Sequence, residues 1–299
     1  MIIDRRRLKR RLTFWRILGV LALVAAGIAA VGRFDLSTEK AHIARLSIDG
    51  IIVDDKLREE TLTDLAEDDN VKALIVAINS PGGTFTGGDN LYQSLRDVAE
   101  TKPVVAVMGG TAASAGYMIA IAADHVIANA GTITGSIGVI MQTADVTGLM
   151  EKIGVKPVIV KSGALKAQPN PMEPFGDDAR SVTQGIIRDF YDIFVEIVID
   201  RRKLARDVAY GLADGRIYSG RQAASNGLID AVGREKDALK WLSDNSEISD
   251  QLPVRDVEID YHDEPWRELV GKSLGKVLFS ERLRLDGVLS LWHPEGHLD

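Results

Sequence analysis

The chain has 299 residues, of which 45% are hydrophobic and 26% charged, with no cysteine and a net charge of −7. That supports one well-buried domain of about 200 residues with additions at its ends and excludes a disordered chain. Without cysteine, disulfides and thiolate metal sites are excluded as well.

The first expected element is a membrane segment. Residues 1–33 hold 8 of the 36 basic groups and 1 of the 43 acidic ones, leaving the rest of the chain at a net −14. Arg5, Arg6, Arg7, Lys9, Arg10, Arg11 and Arg16 crowd ahead of an apolar run, Ile17 to Gly32. Phe14, Trp15 and a snorkelling Arg16 lengthen that run, so residues 14–32 are expected to anchor the chain in a membrane as a single transmembrane helix. A cleaved secretory signal is the competing reading, with small residues Ala26, Ala29 and Ala30 near its end. Either way the basic end stays in the cytoplasm and the body lies outside it. A body that acidic repels phosphates, so nucleic acid is not an expected partner.

After a linker over 34–42, strands alternate with helices. A strand is expected from Ile43 to Ile51, a helix from Asp55 to Asp68, and a strand buried on both faces from Ala73 to Asn79. A helix over Gly88–Glu100, a strand over Pro103–Met108 and a helix opening at Tyr117 repeat the unit. Further strands are expected at Val126–Ala128 and Val155–Val160. Such repeated βα units indicate an α/β domain with a largely parallel sheet, whose sites gather at the carboxyl ends of strands. One long amphipathic helix is expected from Asp177 to about Ala209. Beyond Glu235 the pattern weakens to a helix through Trp241 and a strand near Val257.

Two glycine-rich turns follow two of the buried strands. Ser80-Pro-Gly-Gly83 can turn backbone N–H groups outward with no Cβ in the way, as an oxyanion hole requires. Ser114, in Ala112-Ala-Ser-Ala-Gly116, stands where a nucleophile is presented at a strand-to-helix turn; the plainer alternative is that it only caps the helix. A serine nucleophile needs a base. Among five histidines only His125 is a serious candidate. The other choice is a lysine held neutral by burial, and Lys161 and Lys166 both follow the strand expected at Val155–Val160. Chemistry alone does not choose between them.

These blocks together resemble one family, the short, single-repeat kind of bacterial signal peptide peptidase A. The resemblance rests on Asn79-Ser-Pro-Gly-Gly83, Ala112-Ala-Ser-Ala-Gly-Tyr117, Ala123-Asp124, Thr132-Ile-Thr-Gly-Ser-Ile-Gly-Val139, Lys161-Ser-Gly-Ala-Leu-Lys166 and Asp214-Gly-Arg-Ile-Tyr-Ser-Gly-Arg-Gln222, in that order. It implies a Clp protease/crotonase-like α/β fold over 43–235, with 236–299 a C-terminal extension that matches no family block. It selects Ser114 as nucleophile and Lys166 as general base, and demotes Lys161. It further implies that Ser136 orients the lysine amine and that Gly83 supplies an oxyanion N–H; by analogy with related folds, Ala115 supplies the second. Ala115 stands where the family usually has glycine, so its methyl is expected to shift the backbone or narrow the cleft.

The resemblance also implies a ring- or dome-like homo-oligomer with dyad residues from neighbouring protomers. Its substrates would be hydrophobic peptides such as cleaved signal peptides, hydrolysed without cofactor or metal at the outer face of a bacterial inner membrane. Two rival readings are acyl-CoA chemistry on the related crotonase fold and a non-catalytic membrane scaffold.

Overall fold

A computed structural model describes residues 13–22, 41–246, 248–259 and 261, together with the backbone of 289–291. It divides into two units, Met1–Lys40 and Ala41–Asp299.

In the first unit, residues 13–22 are helical and their apolar side chains are exposed, Phe14 and Trp15 among them. Among the described residues no helix is long and apolar enough to cross a membrane. Residues 23–32 of the expected anchor lie outside the described residues.

The second unit is built on the alternation of side chains along its strands. The first six elements are β1 (His42–Ile52), α1 (Lys56–Glu67), β2 (Val71–Thr84), α2 (Phe85–Thr101), β3 (Val104–Ala113) and α3 (Ala115–Ala120). In β2, Leu74, Val76 and Ile78 join one core, while Ala73 and Ile75 join another. An unbroken apolar run therefore buries both faces of a central strand, each residue against the layer that its parity selects. Helices α1 and α2 start where side-chain oxygens meet their free N–H groups. Asp55 accepts from Arg58 N and Thr84 from Gly87 N.

The remaining elements are β4 (His125–Ala128), β5 (Ile133–Gly135), α4 (Thr147–Lys152), α5 (Asp177–Arg202), α6 (Arg206–Leu212), β6 (Ile217–Ser219), α7 (Gly220–Ser225), β7 (Ala231–Val232), α8 (Glu235–Ser246), β8 (Val254–Asp256) and β9 (Leu289–Leu291). The sheet runs β6-β5-β3-β2-β1-β8, with β4 and then β7 beside the start of β3. Strands β1, β2, β3, β4, β5, β7 and β8 pair in parallel; β6 on β5 and β9 on Gly82–Thr84 are antiparallel. The expected α/β architecture with a largely parallel sheet is what the chain forms.

Three expectations need correction or extension. The strand expected at Val155–Val160 is absent, because those residues are exposed and have no strand beside them; Val158 and Val160 are 89% and 94% exposed. The long helix expected to reach Ala209 ends at Arg202, where Lys203 turns left-handed with φ 52°, and α6 follows as a separate element. Residues after 235 also complete the body. Ala238 and Leu242 of α8 pack with Ile43, Ala73, Ile75, Val105 and Ile127 on the sheet's second face, and β8 extends the sheet beside β1. Arg45 fastens this addition, its Nε 2.6 Å from Asp256 and its Nη1 3.1 Å from Glu235.

Candidate active site

The site grows from a fork in β3. Its first half, Val105–Met108, pairs with His125–Ala128; its second, Thr111–Ala113, pairs with Ile133–Gly135. Gly109 and Gly110 lie between the two halves. Three side chains brace the fork: Thr132 Oγ1 donates to Gly109 O at 2.6 Å, Thr134 Oγ1 to Ala112 O at 2.6 Å, and Asn79 Oδ1 accepts Thr111 N at 3.2 Å. Both threonines are buried, so the bonds run in a medium where water does not compete.

Ser114 is the first residue past this brace. Its N–H donates to Gly135 O at 2.8 Å, it is 1% exposed, and its backbone stands at φ 56°, ψ −121°. A non-glycine residue held there costs on the order of 1–3 kcal/mol, strain that persists where surrounding structure imposes it and that gathers at functional turns. The plainer reading of Ser114 fails on geometry, because its side chain makes no capping bond to α3.

Ser80-Pro-Gly-Gly83, expected as a turn, is instead the last part of β2, and it lies against the Ser114 turn. A Cβ on Gly116 would sit 2.9 Å from Ser80 O, so the chain beyond Ser114 closes directly onto β2. Gly82 adopts φ +118°, and a Cβ on Gly83 would fall 1.7 Å from Ile52 O. Gly83 is thus demanded by packing against β1, whatever its N–H does. Ala115 is fully buried beside Gly88 of α2, where a Cβ would come within 2.8 Å of the Ala115 methyl. That methyl occupies the space a missing side chain leaves on α2.

Ser136 follows Gly135, the acceptor of the Ser114 N–H. It too is buried, with φ 49°, and its own N–H donates to Arg216 O at 2.9 Å. The structure therefore sets Ser136 one residue past the acceptor of the Ser114 N–H and packs Gly116 on Ser80, with Gly83 three residues further along β2. Lys166 is not among them. It is exposed, on a segment in which no residue from Ile140 to Asp178 is buried. Lys161, five residues earlier, is committed elsewhere: its Nζ lies 2.7 Å from Glu173 Oε1, and the Glu173 carboxyl is held below its usual range by that bond first and by Asn170 next. Among the described residues Lys166 makes no ion pair.

His125 lies at the other end of the strand. It pairs with Val105, eight residues before Ala113, or about 26 Å of strand at roughly 3.3 Å per residue. Its ring stacks on Trp241 at 4.8 Å, and burial pushes its pKa down against the pull of Asp230. It is a brace for α8 and β7, not a partner for Ser114. The contributions of Ser80, Thr132 and Thr134 were not singled out from sequence, although all three stand inside the family-like blocks. Among the described residues no cluster of His, Asp or Glu could hold a metal ion.

Comparison with known proteins places the chain among peptidases. The model of peptidase family S49 matches residues 96–249. A candidate protease of Synechocystis is 39% identical over 212 residues, 70% of this chain and 76% of that protein. A candidate protease of Methanocaldococcus jannaschii is 38% identical over 188 residues, 63% of this chain and 60% of that one. A candidate signal peptide peptidase of Enterococcus faecium is 35% identical over 226 residues, 71% of this chain and 66% of that one. The match thus spans less than two thirds of the archaeal and enterococcal relatives. A solved ClpP1 mutant from Listeria monocytogenes covers 64% of this chain at TM-score 0.43 and 17% identity, too slight a likeness to name the fold.

Proposed function

Because this chain belongs to peptidase family S49, the signal peptide peptidase A family of serine proteases, we propose that it is a membrane-anchored endopeptidase that cleaves hydrophobic peptide segments with a Ser114/Lys166 dyad on a Clp protease/crotonase-like fold. Neutral Lys166 takes the Ser114 proton as Oγ attacks the peptide carbonyl, and the tetrahedral oxyanion is met by the N–H groups of Gly83 and Ala115. The proton passes to the leaving amine, an acyl-enzyme remains, and water attacks it by the same route in reverse. Ser136 holds the lysine amine by a hydrogen bond. The chemistry draws on no cofactor.

The observation that carries the reading is the backbone of Ser114. A buried serine in a strained conformation, braced on both sides and not spent on capping, is what a presented nucleophile requires. A peptide substrate suits the neighbouring edge, since Gly82–Thr84 already receives one extended strand, Leu289–Leu291, in antiparallel register.

In this reading Lys166 reaches a serine on a neighbouring protomer of a ring- or dome-like homo-oligomer. The support is its exposure and the exposed apolar side chains around it: Ile153, Val155, Val158, Val160 and Leu165. A run of that kind on a monomer marks a surface that is covered in the working assembly. The basic cluster at Arg5–Arg11 and the apolar run after it supply the anchor, which puts the body outside the cytoplasm, near residual signal peptides.

The test is cleavage of a fluorogenic hydrophobic peptide by the full chain in detergent, with Ser114→Ala, Lys166→Ala and Lys161→Ala in parallel. The first two are expected to abolish turnover and the third to spare it. Mixing the two dead variants distinguishes the geometry: activity returns on subunit exchange only if serine and lysine come from different protomers. Turnover by Ser114→Ala would end the reading.

A further inference from the structure

We infer that Ser80 is a positioning residue for the oxyanion hole, holding the Gly82–Gly83 peptide so that the Gly83 N–H keeps its aim. The inference rests on the role proposed above for Gly83.

The Ser80 side chain is fully buried and makes two bonds to one residue. Its Oγ accepts the Gly82 N–H at 3.1 Å and donates to Gly82 O at 3.3 Å. The second bond matters for the chemistry, because the Gly82 carbonyl belongs to the same planar unit as the Gly83 N–H. In a trans peptide the two point in opposite directions, so fixing one fixes the other. Ser80 therefore never touches substrate, yet it sets the direction of a donor that would.

Such a hold is needed at this point in the chain. Gly82 stands at φ +118° and Gly83 follows, so two residues without Cβ flank the peptide plane. With no side chain on either side, little local steric resistance opposes rotation of that plane, and a rotated plane presents a carbonyl where the oxyanion needs an N–H. A side chain on Gly83 could not supply the resistance, since Ile52 O fills its place. The restraint comes from Ser80 instead.

The same residue also gauges the distance between the two turns. Its carbonyl oxygen is the atom a Cβ on Gly116 would strike, and its Cα pairs with Ala112, two residues before Ser114. One residue thus packs against the nucleophile's turn through its backbone and steers the donor's turn through its hydroxyl. An unspecialised turn serine would be expected to show neither the complete burial nor the contact with Gly116.

The experiment compares Ser80→Ala, which removes the hydroxyl, with Ser80→Cys, which keeps nearly its volume but bonds poorly. Wild type and Ser114→Ala run beside them in the full-length oligomer. Besides kcat and KM, it reads the affinity of a peptide aldehyde and of the matching peptide alcohol. Ser114 Oγ gives its proton to Lys166 and adds to the aldehyde carbon, the C=O π pair moves onto oxygen, and that oxygen occupies the oxyanion site; the alcohol binds without this step.

Losing one oxyanion donor outright costs about 100- to 1,000-fold in kcat, so misdirecting one is expected to cost roughly 10- to 100-fold. Aldehyde affinity should fall in parallel, while KM and alcohol affinity stay within about twofold. A kcat within about twofold of wild type in either variant overturns the inference, as does a fall in kcat with aldehyde affinity intact. A parallel loss of alcohol affinity also overturns it, since it marks general damage to the cleft. If Ser114→Ala itself still cleaves, the fault lies with the dyad reading, and the two failures are told apart.

Discussion

Two stretches of this chain carry the residues assigned to one reaction, and they are built in opposite ways. Around Ser114 the backbone is buried, braced by Thr132, Thr134 and Asn79, and closed against Ser80 and Gly88. Around Lys166, from Ile140 to Asp178, nothing is buried and valines face solvent. The contrast teaches that this chain shapes the Ser114 turn by its own packing and leaves the stretch that carries Lys166 at the surface.

The largest effect should come from the exposed stretch. Val158→Asp with Val160→Asp should abolish peptide cleavage and the oligomer together while leaving the thermal midpoint of the isolated chain unchanged. Sedimentation and turnover on one sample would check this, and a cleaving monomer would erase the contrast. Next is Gly83→Ala. With Ile52 O in the way, it should cost about 3 kcal/mol or more, read by denaturant unfolding.

Gly88→Ala tests the reciprocal fit on α2. Alone it should cost about 1–3 kcal/mol, and adding Ala115→Gly should return most of that, a coupling visible only in the double-mutant cycle. Ser114→Gly should stabilise the chain by roughly 1 kcal/mol while ending cleavage, since glycine takes φ 56° without strain.

The smallest effect concerns pH. Burial lowers the His125 pKa more than Asp230 raises it, so the folded state favours the neutral ring. That contribution is present above the unfolded value of about 6.5 and is lost as pH falls toward the depressed folded value. His125→Phe keeps the ring stack on Trp241 and removes the titration, so its stability should decline less between about pH 7 and about pH 5.

Much of the body is legible in the sequence. The unbroken run Ala73–Ile78 announced a strand buried twice over, because no solvent-facing position interrupts it. The turn serines and glycines were legible as chemistry only through their order in family-like blocks. What misled was Val155–Val160, whose β-branched residues carry the composition of a strand but not the identity of a partner. Propensity records that a segment suits pairing and is silent on whether its own chain provides the neighbour. Lys161 and Lys166 were indistinguishable by type, and Glu173, a residue with no special pattern, is what separates them.

The fork in β3 has a consequence for how this molecule can change. A strand whose last three residues answer to a different neighbour from its first ones has two registers in one element. The trunk and the tip of β3 can therefore be varied separately to ask how far the angle at which Ser114 leaves the sheet depends on each. Gly109 and Gly110 are the seam between the two registers, and Thr132, within reach of Met108 O and bonded to Gly109 O, ties the two sides together across it.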